Sequence, residues 1–366
     1  MRNLLLLITA LFIFAGCIPK KQVEVVRDTY VKPKEPVTIE SDQEIIEEVK
    51  IEEETIIVED GLNKIAIIYP SKIVGKYAKS TISTVNGFLI YNDMPFQVET
   101  FDTQNQSVEN IVNQLNELNA KGFTKVIAMF TKSGVDTLST LEEARYSKYY
   151  FPLVNKEETL VANENFTFGG ISYGKQLDLL RSFSNGRNTM FYVKSFLGNK
   201  LRALYEESFE NAGLIKEIER KTNKFKYIMK DKRMIGNSII LNTPIVKSSI
   251  ILSQLTAYEV NPENILSTQL NYNPLLVKLT QSRDRKKLLI ANSIDEVDTF
   301  IEDYTRLLGS DITYNWVDYS SLVGVNFLLF ENESEMIKTQ VIDNQVEYEP
   351  AIYQSTSYGF SKVLTN

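Results

Sequence analysis

Polar and cationic side chains recur directly after short apolar runs in this chain, the place where an open α/β sheet presents its binding groups. Ser71 and Lys72 follow Ile65-Ala66-Ile67-Ile68-Tyr69-Pro70, Thr131, Lys132 and Ser133 follow the run 126–130, and Asn155 and Lys156 follow 149–154. Further on, Lys194 and Ser195 close the run that starts at Thr189, and Asn242 and Thr243 follow 238–241. Hydroxyls at helix N-termini bind a carboxylate through exposed N–H groups, and lysines gathered around them favour an anionic ligand. The same residue types also serve as N-caps and as a solvated rim, and the spacing fits both roles. Other chemistry is closed off. The 366 residues include no histidine and one cysteine, Cys17. That removes Ser-His-Asp and Cys-His catalysis, the commonest zinc and haem ligands and any intrachain disulfide. No GxGxxG or phosphate-loop spacing occurs, and no basic stripe of the nucleic-acid-binding kind. The expectation is a binding or interaction protein rather than an enzyme, with no catalytic residue, metal, cofactor or nucleic-acid partner.

These side chains converge only if the apolar runs are strands and the segments between them are helices. Residues 65–69 form a run fit for a buried parallel strand, with a helix expected over 74–91. A strand over 96–101 and a helix over 108–120 follow, the latter with Ile111, Leu115 and Leu118 on one face and Gly122 as its stop. Runs at 126–130, 149–154 and 166–171 complete a first parallel set. The alternation restarts with a helix at 175–183, a strand at 189–194, a helix at 197–212 and a strand at 214–220. Strands at 238–241, 265–268 and 287–291 follow, with helices from Pro244 to 258 and over 294–308. A hairpin around Asp343-Asn344, with arms 336–341 and 346–353, closes the chain. The expected architecture is α/β: two Rossmann-like lobes with parallel sheets, the first over about 63–172 plus a late segment, the second over about 173–310.

The first sixty residues have a different character. An apolar stretch from Leu4 to Phe14 follows Arg2 and ends in Phe14-Ala15-Gly16-Cys17. About 11 apolar residues is short of the ~20 that a membrane-spanning helix needs, which leaves a secretory signal over 1–16. The ending resembles the lipobox of bacterial lipoproteins, with Phe14 where Leu, Val or Ile is usual. That resemblance implies cleavage before Cys17 and acylation of its thiol. Residues 17–62 read as a lipid-anchored acidic linker. Within it, residues 40–60 hold ten acidic side chains and one lysine, so most of the formal net charge of −7 belongs to the tether and the remaining body is near neutral.

The order of elements from 64 to 353 resembles the type I periplasmic-binding-protein fold. Its local matches are Lys64-Ile65-Ala66-Ile67-Ile68-Tyr69-Pro70, Phe151-Pro152-Leu153-Val154, Phe196-Leu197-Gly198-Asn199-Lys200-Leu201, Phe209-Glu210-Asn211-Ala212-Gly213-Leu214 and the closing hairpin. The resemblance implies two hinged lobes that close over a ligand at the carboxyl ends of their strands. Amino-acid binders of this kind pair hydroxyl contacts with an acid for the ligand's amine. No acid stands at the lobe-two strand ends of this sequence, although Asp284 and Asp318 are within conceivable reach. A second resemblance is to the outer-membrane lipoproteins that activate penicillin-binding proteins. Those carry the same two-lobed domain behind a helical-repeat domain, where this chain has only the acidic linker. Ile18, rather than aspartate, follows Cys17, and by that resemblance the anchor lies in the outer membrane facing the periplasm. The leading expectation is a lipid-anchored scaffold or partner-binding module of the envelope. The alternative is a substrate-binding lipoprotein for an amino acid, peptide or other small anionic ligand.

Overall fold

The structure is a computed structural model and describes residues 61–364. The expected signal segment, Cys17 and residues 18–60 of the linker lie outside the described residues. Strand β1 (Asn63–Tyr69) carries four consecutive apolar residues, Ile65, Ala66, Ile67 and Ile68, with no exposed surface. Such a run suits a central strand covered on both faces. Helix α1 (Ser71–Tyr91), β2 (Phe96–Asp102), α2 (Val108–Ala120), β3 (Lys125–Ala128), α3 (Lys132–Leu138), β4 (Lys148–Phe151) and β5 (Phe166–Phe168) follow. Helix α2 buries Ile111, Leu115 and Leu118, the stripe that its sequence announces.

The chain then builds a second lobe. Helix α4 (Tyr173–Arg181), β6 (Asn188–Val193), α5 (Phe196–Ser208), β7 (Leu214–Ile218) and the single turn α6 (Lys226–Met229) come first. Strand β8 (Ser238–Asn242), α7 (Ile245–Ala257), β9 (Ile265–Ser267), α8 (Pro274–Leu279) and β10 (Leu288–Asn292) complete the alternation. Two further helices, α9 (Thr299–Leu307) and α10 (Trp316–Phe330), precede the short strands β11 (Val341–Ile342), β12 (Gln345–Val346), β13 (Ala351–Ser355) and β14 (Phe360–Lys362).

Two seven-stranded sheets result, ordered β2-β1-β3-β4-β5-β12-β11 and β7-β6-β8-β9-β10-β13-β14. Their first five strands are parallel, and each sheet is finished by antiparallel pairing from the tail. The chain passes between the lobes three times: after β5, after β10 and after β12. The expected α/β architecture of two parallel-sheet lobes is therefore what the chain forms.

Three details differ from the sequence reading. Helix α9 lies on α1 and so groups with the first lobe, whereas the expected second lobe ran to about 310. At this contact a Cβ on Gly87 would sit 2.9 Å from Thr305 Cα, and Ser83 Oγ donates to the Leu308 carbonyl at 2.7 Å. Helix α10 had no counterpart in the periodicity, because it is buried on almost every side and has no polar face to mark it. The closing hairpin is shorter than expected: Asp343 and Asn344 turn at φ 49° and 63° between β11 and β12, and the following residues pair with the other lobe instead.

Packing around α10 is close. Tyr150 on β4 fills the space between α10 and the β5 end, where a Cβ on Gly324 would lie 2.4 Å from its ring and one on Gly169 2.0 Å from its hydroxyl. Its hydroxyl meets Ser320 Oγ at 3.2 Å and Tyr348 Oη at 3.4 Å, and Tyr348 in turn donates to the Gly169 carbonyl at 2.9 Å. The helices α1 and α10 are further joined by the buried Thr81–Ser321 hydroxyl pair at 3.1 Å. Among the described residues no helix is long and apolar enough to cross a membrane.

Candidate functional site: the cleft between the lobes

The strand ends expected to face a ligand do lie at the carboxyl edges of the two sheets, but most of their side chains are already engaged. In the first lobe Ser71 opens α1 and its backbone N–H donates to Asp102 Oδ1 at 3.1 Å. Lys72 Nζ donates to Gln104 Oε1 at 3.2 Å. Burial pushes the Asp102 carboxyl up, but hydrogen bonds from Ser71 and Gln104, with Lys72 close by, outweigh it and hold the group below its ordinary value. Thr131, just ahead of α3, is held by Gln106, which accepts from the Thr131 N–H at 2.8 Å and donates to Oγ1 at 2.9 Å. Lys132 pairs with Asp136 one turn along α3, and that hydrogen bond is the main reason the Asp136 carboxyl sits low. Ser133 is exposed beside it.

Asn155 is buried and acts as a cap: its Oδ1 accepts from the Glu157 N–H at 2.9 Å and its Nδ2 donates to the Gly170 carbonyl at 2.9 Å. Lys156 donates to the Asp343 carbonyl. The space beside Asn155, bordered by Ser172, Lys175 and Tyr348, amounts to about 30 Å³, which is room for a water or two and not for an amino acid.

In the second lobe Ser195 caps α5, accepting from the Gly198 N–H at 3.0 Å, and Lys194 is exposed beside it. Asn242 and Thr243 do not reach a rim. They are 2% and 0% exposed, and their partners belong to the same lobe: Thr268 Oγ1 donates to Asn242 Oδ1 at 3.3 Å, and Thr243 Oγ1 meets Ser248 Oγ at 2.8 Å. The expectation that this pair faces a ligand is corrected by that burial. The Asn242 amide nitrogen has no protein partner among the described residues.

Sequence reading missed the groups that fill this end of the second sheet. Gln176 of α4, fully buried, donates to Gln269 Oε1 at 2.6 Å and to Ser293 Oγ at 2.9 Å. Its own Oε1 accepts from the Gln269 N–H at 3.1 Å, and Gln269 Oε1 accepts from the Ser293 N–H at 3.1 Å. Asn271 ties Ser267 Oγ to the Leu241 carbonyl. The signal was available as Thr268-Gln269 and Asn292-Ser293, polar pairs at the ends of two apolar runs. Across the cleft mouth, Lys200 of α5 pairs with Glu158 of the first lobe at 2.8 Å.

Neither acid considered for a ligand amine is at the cleft. Asp284 stands before β10, at the amino edge of its sheet, where it accepts from the Gln281 N–H and from Ser253. Asp318 is buried in the first lobe on α10, accepting from the Asp311 N–H at 2.8 Å.

No protein-family model and no curated protein sequence matches the chain. Solved structures do. The chain covers 100% of a branched-chain amino-acid ABC transporter protein from Rhodospirillum rubrum with 82% of its own length, at a TM-score of 0.64 and 10% identity. Together with the strand order of both sheets and the three crossings, this decides the architecture. The fold is that of the type I periplasmic binding proteins. A leucine-binding protein from Thermotoga maritima shares this fold at a TM-score of 0.56 and 10% identity, over 82% of this chain and 98% of that one. So does the C-domain of LpoA from Haemophilus influenzae, described as a regulator of PBP1A, at 0.56 and 12%, over 82% and 100%. Of a longer LpoA chain from that organism the protein spans 59%. Those structures are described as a transporter protein, a binding protein and a regulator.

Proposed function

We propose that this protein is a lipid-anchored envelope protein whose two-lobed body works through its surface, as a scaffold or partner-binding module. The observation that carries the reading is the Gln176–Gln269–Ser293 network with its neighbours Asn242, Thr243 and Asn271. Where a binding protein would present polar groups to a ligand, this chain pairs them with one another inside the second lobe. The Lys200–Glu158 pair across the mouth and the committed lysines Lys72 and Lys132 point the same way. In this reading residues 1–16 are a signal peptide, the Cys17 thiol carries lipid, and the acidic linker lifts the body off the periplasmic face of the outer membrane. The partner is a protein of the envelope machinery, and the likeness to a regulator of PBP1A makes an enzyme of wall synthesis the class to try first.

The second reading, a receptor for a small anionic ligand, draws on one observation: the Asn242 amide is buried without a partner, and exposed Lys194 lies at the neighbouring strand end. Small-angle scattering on the full-length protein separates the two. Free amino acids are expected to leave the radius of gyration unchanged, while Lys200→Glu, which sets a second carboxylate against Glu158, is expected to increase it. Compaction by an amino acid that Lys132→Ala or Lys194→Ala abolishes overturns the scaffold reading in favour of the receptor.

A further inference from the structure

We propose a second binding site, for a single carboxylate carried on an apolar chain, in a concavity of about 830 Å³ at the amino edge of the first lobe's sheet, with Lys125 as its anchor. It lies at the opposite end of β3 from Thr131, so it stands apart from the cleft and from the reading given to the cleft. In the register of β3 and β4, Lys125 is paired directly with Lys148, which puts two ammonium-bearing chains side by side on one face of the sheet. Lys148 has a counter-ion, Glu331 at 3.0 Å. Lys125 has none among the described residues. It is also half-buried, and burial, reinforced by the charge of Lys148, pushes its ammonium pKa down. A partly desolvated cation without a counter-charge is unfavourable, and a ligand carboxylate would supply one.

The rest of the lining sets the ligand's body and charge. Leu329, Phe330 and Met336 offer apolar surface continuous with the core, and Tyr146, 73% exposed, stands at the opening. Glu333 and Glu335, both exposed, line the concavity and disfavour a second negative charge, while Arg145 in the same lining is paired with Glu142, so the site selects a monoanion over a phosphate. A peptide carboxyl terminus and a fatty acyl carboxylate share this chemistry.

Saturation-transfer NMR on the full-length protein tests the site with N-acetyl-leucyl-leucine and with decanoate, each against a neutral counterpart, the peptide amide and decanol. We expect transfer to at least one carboxylate, with affinity at least tenfold weaker for its neutral counterpart. The arm that binds identifies the source as peptide or acyl chain. Lys125→Met is expected to weaken binding by a further tenfold or more, and the cleft variant Lys132→Ala to leave it unchanged. Tyr146→Asp places a carboxylate at the opening on an exposed residue, and it carries the test if Lys125→Met fails to fold. The proposal is overturned if neither carboxylate binds or if the neutral forms bind equally. It is also overturned if inorganic phosphate competes as well as carboxylate, or if Lys132→Ala abolishes binding while Tyr146→Asp does not.

Discussion

Replacing Gln176 with methionine removes three hydrogen bonds from the buried end of the second lobe while keeping nearly the same side-chain length and volume. The wild-type amide donates to Gln269 Oε1 and Ser293 Oγ and accepts from the Gln269 N–H, at 2.6, 2.9 and 3.1 Å. Each such bond contributes about 1 kcal/mol net, and an abandoned buried donor such as the Gln269 N–H adds about 1–3 kcal/mol of its own. Because the methionine thioether retains the packing, the expected loss is about 2–4 kcal/mol rather than the full sum. For a body of about 300 residues, whose unfolding entropy is about 0.6 kcal/mol/K, that corresponds to a fall in melting temperature of about 3–6 °C. Urea denaturation followed by circular dichroism gives the free energy directly, and an unchanged slope shows that the extent of unfolding is the same. The variant also frees polar groups at the strand ends, so any ligand response absent from the parent should emerge in it first. A loss below about 0.5 kcal/mol would show that Gln269 and Ser293 satisfy each other without Gln176, and the account of the cleft as internally paired would fall.

Gly324→Ala drives a methyl into the Tyr150 ring and is expected to destabilise the protein by at least about 2 kcal/mol, several times the effect of an alanine at Gly359, where a Cβ meets nothing within 4 Å; equal midpoints in urea would refute the close packing. Burial raises the Asp318 carboxyl pKa, with the Asp311 N–H, Ser80 and Ser310 only partly offsetting it. A group raised in the folded state favours folding below its unfolded pKa of about 4 and loses that contribution as pH rises through the folded value. Asp318→Asn should therefore gain stability over the parent on going from pH 4 to 7, and a difference independent of pH refutes the assignment. Cys17→Ser should leave an uncleaved or a soluble periplasmic protein, in either case without the acyl mass. An unmodified Cys17 in a membrane-free parent overturns the lipoprotein reading.

The parts of this fold that were legible in the sequence are those with a period. The stripe Ile111, Leu115, Leu118 and the run from Ile65 to Ile68 state their elements outright, because one face or both faces are buried in a regular rhythm. Helix α10 was silent for the complementary reason: enclosed by α1, the sheet and the tail, it has no solvent side to leave a polar signature. The positions of the candidate site residues were readable, since strand ends follow from strands. Their orientation was not. Asn242 and Thr243 turn inward because their partners, Thr268 and Ser248, are arranged around them, and Gln176 finds Gln269 across a sequence separation of 93 residues. No local pattern encodes such a meeting, and a side chain satisfied at that range looks in sequence the same as one waiting for a ligand.

The three passages between the lobes have a consequence for how the molecule is made. Neither lobe is a continuous stretch: the first needs α9, α10 and β12 from late in the chain, and the second needs β13 and β14, which follow β12. A nascent chain emerging in order can assemble β1 through β5, yet the Tyr150 pocket stays open to water until α10 arrives and the sheet stays unfinished until β12 pairs with β5. The β10 edge likewise remains unpaired until β13 is synthesised. Both halves thus reach completion almost together, as β12, β13 and β14 emerge in succession. Deletions that remove β14 and β13 will damage the second lobe first, and any that reach β12 will leave both lobes incomplete, with an unpaired strand edge in each that would hand such truncates to chaperones and proteases.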